Sequence, residues 1–118
     1  FLAAGAAVVA YDPMASARAR AATLVPGLAV VDTALAAVTD ADVAVLVTEW
    51  RDVVELDWST VAARMRQRVL IDGRNVLTGD RLAAAGFVYS SFGRGTLHAD
   101  PPATSTVEPF GVALGWAE

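Results

Sequence analysis

Asp72, Gly73, Arg74 and Asn75 follow directly on the apolar triplet Val69-Leu70-Ile71. This is the pattern of a buried strand running into a polar turn. In an open parallel α/β sheet, ligands bind outside the carboxyl ends of the strands. A guanidinium placed there offers a planar fork of donors that suits a phosphate or a carboxylate. Arg74 is therefore a candidate phosphate or nucleotide contact. The alternative, a surface arginine pairing with Asp72 or capping a neighbouring helix, stands equally open on pattern alone.

Two further loops follow apolar runs and belong at the same edge if the strands are parallel: Tyr11-Asp12-Pro13 and Thr48-Glu49-Trp50. The candidate site edge thus comprises Asp12, Thr48, Glu49, Trp50, Asp72, Gly73 and Asn75 around Arg74. An acid after the second strand of a dinucleotide fold reads ribose, but Asp12 ahead of Pro13 is more simply a turn acid. Glu49 and Trp50 are placed to touch a ligand or a neighbouring domain. Their plainer reading is a solvated acid beside an indole that covers the sheet end.

Asp52, Glu55 and Asp57 have no His or Cys companions, so they read as a solvated loop and not as a metal site. His98, the single histidine, sits beside a Pro- and Thr-rich stretch and is not expected to be catalytic. Gly93-Arg94-Gly95 is too short a motif to establish an anion cradle. There is no G-x-G-x-x-G for a nicotinamide cofactor. A response-regulator reading fails as well, lacking an acidic pair after the first strand and a late lysine.

Composition narrows the classes further. The 118 residues are 55% hydrophobic and carry a net charge of −4, with a pI near 4.8 and a mean hydropathy of +0.46. That is one domain's worth of chain with ample apolar content, although much of it is alanine. The acidic balance argues against non-specific nucleic-acid binding. All nine basic residues are arginine and there is no cysteine, so lysine Schiff-base chemistry, disulfides and a cysteine nucleophile are absent from this segment. No apolar run approaches the roughly 18 residues of a membrane span. The opening FLAAGAAVVA has no basic flank and starts with Phe1, which points to a piece of a longer protein and not to a signal peptide.

The elements that must position these residues alternate. Phe1 to Ala4 reads as a final helical turn stopped by Gly5, and Ala7 to Tyr11 as a strand. Met14 to Leu24 reads as a helix, Leu28 to Val31 as a brief strand, and Asp32 or Thr33 as the cap of a helix reaching about Val38. Val43 to Thr48 is apolar on both faces, as a buried parallel strand should be. A helix over Ser59 to Arg66, a strand over Val69 to Asp72, a helix from Asp80 with Gly86 at its end, and a strand over Phe87 to Ser90 complete the series. Such alternation predicts an α/β, Rossmann-like three-layer domain with a mostly parallel sheet. From His98 onward the periodic pattern stops, and residues 96–118 are expected to form a flexible tail, with apolar Val112 to Trp116 free to dock.

Six short motifs occur in order: AYDPMA (Ala10 to Ala15), VLVTEW (Val45 to Trp50), ELDW (Glu55 to Trp58), DGRN (Asp72 to Asn75), RLAAAGFVY (Arg81 to Tyr89) and FGR (Phe92 to Arg94). Together they resemble the C-terminal, UDP-binding domain of UDP-glucose 6-dehydrogenases, in the UDP-glucose/GDP-mannose dehydrogenase family. The resemblance covers about Phe1 to Arg94, so residues 1–95 are expected to form a partial UDP-sugar-binding domain.

It implies an oxidoreductase that converts UDP-glucose to UDP-glucuronate with two NAD+. An N-terminal domain would bind the NAD, a central helix would support a homodimer, and the enzyme would be cytoplasmic. It also implies that Arg74, the arginine of DGR, contacts the substrate. The catalytic cysteine and lysine would lie outside this chain, leaving it inactive alone. A non-catalytic nucleotide-binding or regulatory module on the same fold is the alternative. In the family a first strand precedes the helix ending FLAAG, and it would lie between the Ala7 and Val43 strands. Without it the sheet is expected to lack an interior strand and to fold weakly.

Overall fold

The computed structural model describes residues 1–93, 95–97 and 111–115. A short 3-10 turn, Leu2–Ala4, ends at Gly5, whose φ of 86° is the left-handed conformation that a stop requires. There follow β1 (Ala7–Tyr11), α1 (Ala15–Leu24), β2 (Ala29–Val30), α2 (Ala34–Val38), β3 (Val43–Leu46), α3 (Arg51–Val54), α4 (Trp58–Arg64), β4 (Val69–Asp72), α5 (Gly79–Ala84), β5 (Val88–Ser91), β6 (Gly95–Leu97) and β7 (Gly111–Gly115). They build one seven-stranded sheet in the order β2-β1-β7-β3-β4-β5-β6. Every neighbouring pair is parallel except β5–β6. The expected α/β, mostly parallel architecture is thus present.

Local chemistry explains most of the boundaries. The Thr33 hydroxyl accepts the Ala36 amide and starts α2, and the Asp57 carboxylate accepts the Ser59 amide and starts α4. The Thr60 hydroxyl also donates to Asp57 at 2.7 Å and holds that carboxyl below its ordinary 3.8. A lowered value favours the fold above the ordinary pKa, and the benefit fades as pH falls through the lowered one. α3 lies where a solvated acidic loop was expected. Its Arg51–Glu55 pair at 2.7 Å is solvent-facing, but Val53 turns inward and anchors the turn to the core.

The core lies between the sheet and α2, α4 and α5, with Phe87, Leu70, Leu82 and Val61 fully enclosed. Trp58 meets Phe87 edge-on at 6.1 Å and donates its indole N–H to the Val54 carbonyl. Right-handed crossovers put α1 on the opposite face, because β1 to β2 steps the other way along the sheet. Its buried Ala17 and Ala21 accordingly stand outside that core cluster. Beyond α1 this back face is thinly covered: Ile71 of β4 is exposed and Val45 and Val88 are half-buried.

One expectation is corrected. The interior position between β1 and β3, expected to be empty, is held by β7. It pairs with β1 from Ala7↔Gly111 to Tyr11↔Gly115, and with β3 from Val43↔Val112 to Val45↔Leu114. Two facing parallel edges present unpaired N–H and C=O groups, and a five-residue uncharged segment satisfies both rows at once. The flexible tail expected from residue 96 therefore contains two strands, β6 and β7. Residues 98–110, His98 among them, lie outside the described residues, as does Arg94.

Candidate functional site

Asp72 organises the loop after β4. Its side chain is 0% exposed, and its two oxygens accept four hydrogen bonds. Oδ1 takes the Arg74 amide at 3.0 Å; Oδ2 takes the Val76 and Leu77 amides, each at 2.9 Å, and the Tyr89 hydroxyl at 2.8 Å. The carboxylate thus winds the backbone of residues 74–77 around itself, which turns the Arg74 side chain outward. Gly73 suits a close approach, since a Cβ there would stand 3.1 Å from the Leu46 carbonyl, tighter than an ordinary contact. Its own amide donates to that carbonyl at 2.8 Å, extending the β3–β4 ladder by one step and setting Arg74 beside the loop after β3. Asn75 adopts φ 55°, a conformation asparagine tolerates, and its amide nitrogen donates to the Phe92 carbonyl.

The loop after β3 supplies the facing wall. Thr48 is buried and its hydroxyl accepts the Trp50 amide, which fixes the turn that carries Glu49 outward. The Glu49 carboxylate reaches Arg74 Nη2 at 3.3 Å, with both side chains about half exposed or more. Val47, Thr48, Glu49, Trp50, Arg51, Asp52 and Arg74 enclose an open cleft of about 690 Å³. That size falls within the range of small-molecule sites. Arg51 is committed to Glu55 through both Nε and Nη2. Arg74 is consequently the cleft cation whose pairing is with a wall residue of the cleft itself. A second cavity, of about 50 Å³, is lined almost wholly by apolar side chains, Trp58 among them, and reads as a packing gap.

Of the residues singled out from sequence, Thr48, Glu49, Trp50 and Arg74 line the cleft, while Asp72, Gly73 and Asn75 shape its loop. Asp12 does not line it. That residue is 1% exposed, its Oδ1 accepts the Met14 amide at 2.8 Å, and Arg18 donates to its carbonyl. This is a turn acid, although its Oδ2 has no hydrogen-bond partner among the described residues. Arg74 pairs with Glu49 and not with Asp72, whose role is to hold the loop backbone. Sequence reasoning missed Asp52 and Arg51 as cleft walls; the only signal was their position directly after Thr48-Glu49-Trp50. No group of His, Cys, Asp or Glu suited to a metal ion occurs among the described residues.

Residues 1–79 match the model of the UDP-glucose/GDP-mannose dehydrogenase family, UDP binding domain. The chain belongs to this family. Its relatives include the UDP-glucose 6-dehydrogenase of Pseudomonas aeruginosa, 39% identical over 76% of this chain and 21% of that protein. TuaD of Bacillus subtilis, another UDP-glucose 6-dehydrogenase, is 36% identical over 83% of this chain and 21% of its own length. That of Rhizobium meliloti is 37% identical over 77% and 20%. The chain therefore spans about a fifth of the curated relatives it matches, and that fifth is the UDP-binding domain. The family match ends at residue 79, so it includes both cleft loops and excludes β5, β6 and β7.

Proposed function

We propose that the cleft between the loops after β3 and β4 binds the UDP portion of a UDP-sugar, with Arg74 as the phosphate contact. The observation that carries this reading is the placement of Arg74. A rigid carboxylate-wound loop delivers it to an open cleft at the carboxyl edge of a parallel sheet, where an anionic ligand is expected.

In the whole protein the domain serves an NAD-dependent oxidation of UDP-glucose to UDP-glucuronate, in which two NAD+ accept four electrons. This chain contains neither cysteine nor lysine, so the covalent chemistry belongs to an N-terminal domain that also holds the NAD. The domain's own share is to bind and orient substrate. A homodimer in the cytoplasm is the assembly this reading implies. No helix among the described residues is long and apolar enough to cross a membrane.

One observation favours a second reading, a self-sufficient nucleotide-binding module. β7 holds the interior position of the sheet from within the chain. The oxidation of UDP-glucose by the intact protein in the presence of NAD+ separates the two readings. Nucleotide binding without turnover supports the module.

Both readings predict the same site. Titration with UDP should show Arg74→Ala binding about 1.5–3 kcal/mol more weakly, the worth of a charge-assisted hydrogen bond. The melting temperature should be nearly unchanged, because the guanidinium is half exposed and its ion pair is worth at most about 1 kcal/mol. Equal UDP affinity in the two proteins would remove Arg74 from the site.

A further inference from the structure

We propose that Glu49 is a built-in anionic competitor for Arg74 and sets how much negative charge the cleft accepts. The inference deepens the reading of this cleft as a UDP site and rests on it. Four charged side chains line the cleft: Glu49, Arg51, Asp52 and Arg74. Arg51 is held by Glu55 through two donors, at 3.1 and 2.7 Å. Apart from Arg51 with its own partner, the cleft presents a ligand with one guanidinium and two carboxylates, one of them already 3.3 Å from that guanidinium.

A phosphate that takes Arg74 through Nη2 must displace Glu49. The backbone bearing Glu49 follows buried Thr48, whose Oγ1 accepts the amide of exposed Trp50 at 3.4 Å. The displaced carboxylate can rotate away, but it stays at the cleft wall with Asp52. Its repulsion then grows with each negative charge on the ligand, at about 1 kcal/mol per unit charge at 4 Å even in water. A diphosphate masked by a sugar carries less charge than free UDP, and UDP less than UTP. Glu49 thereby biases the cleft toward the masked diphosphate, a form of selection against the wrong partner by like charge.

The test is calorimetric titration of the intact wild type, Glu49→Gln, Arg74→Ala and the double variant with UDP-glucose, UDP and UTP. Glutamine preserves the size of the side chain, and position 49 is solvent-facing, so the fold should be retained. Equal melting temperatures check this. The Glu49→Gln protein should bind all three ligands more tightly, by about two- to tenfold overall, as expected for loss of an exposed competing pair. The gain should rise from UDP-glucose to UDP to UTP. In the Arg74→Ala background most of the gain for UDP-glucose should vanish, because there is no guanidinium to release.

Unchanged or weaker binding by Glu49→Gln, or a gain independent of ligand charge, overturns the proposal while Arg74→Ala still loses affinity. If Arg74→Ala loses nothing, the nucleotide reading of the cleft fails instead, and the proposal with it.

Discussion

Ala113→Pro is expected to abolish the cooperative thermal transition of this domain or to lower it by more than 10 °C, on the order of 3 kcal/mol or more of lost stability. Ala113 pairs with Val9 on one side and Ala44 on the other. Proline removes its amide from the ladder, and its ring is tolerated in sheets essentially at edges and bulges. The damage is not confined to one strand. β1 and β3 do not pair with each other, so β7 is the hydrogen-bonded link between the β2-β1 pair and the β3-β4-β5-β6 group. Ala29→Pro, on the edge strand β2, should cost much less. Circular dichroism melts of both variants decide the matter. A wild-type transition for Ala113→Pro would mean that the C-terminal strand does not sit in the sheet in solution. The same melts test the earlier expectation of weak folding, which depended on an empty interior position.

Asp72→Ala should be comparably severe and should also disable the site. The substitution leaves three backbone amides without their acceptor, while the Tyr89 hydroxyl keeps only its longer bond to the Leu77 carbonyl at 3.3 Å. Each buried donor left unpaired costs about 1–3 kcal/mol, though relaxation and water will relieve some of them. A total loss of about 3–5 kcal/mol is expected, a large part of the stability of a domain this size. Asp72→Asn provides the graded comparison. Its amide oxygen can keep the three bonds now made by Oδ2, while its nitrogen faces the Arg74 amide and repels it. That variant should lose only about 1–3 kcal/mol of stability yet still bind UDP more weakly, because the loop carrying Arg74 loosens. Equal stability of wild type and Asp72→Ala in urea melts would show that the loop does not depend on this carboxylate.

These two residues also mark where the sequence was legible. VAVLVT and VLID announced buried strands because a parallel strand enclosed on both faces must be continuously apolar. The order of DGRN after such a strand placed Arg74 at the ligand edge before any coordinates. Asp72 was legible as the start of a polar turn but not as the hub of the loop. Its partner Tyr89 lies 17 positions away, and only the β4–β5 register brings the two together. Arg51 and Asp52 were lost for a related reason: a four-residue helix, two charged residues followed by two valines, is too short to show a periodicity, and only Val53 and Val54 tie it to the core.

What the sequence determined by itself was local and compositional. It set the alternation of strands and helices, the family to which its ordered motifs belong, the absence of cysteine and lysine chemistry, and the arginine offered to a ligand. Tertiary structure decided which charges meet and which strand lies at the centre. Arg74 meets Glu49 across 25 residues, and β7 finds β1 across about a hundred. Both outcomes have the same physical cause. Ion pairs and ladder hydrogen bonds are satisfied by whatever group arrives at the right distance, and separation along the chain leaves no mark in the local pattern of residues. GVALG carries no more strand signal than many loops; two facing unpaired edges make it the middle of a sheet.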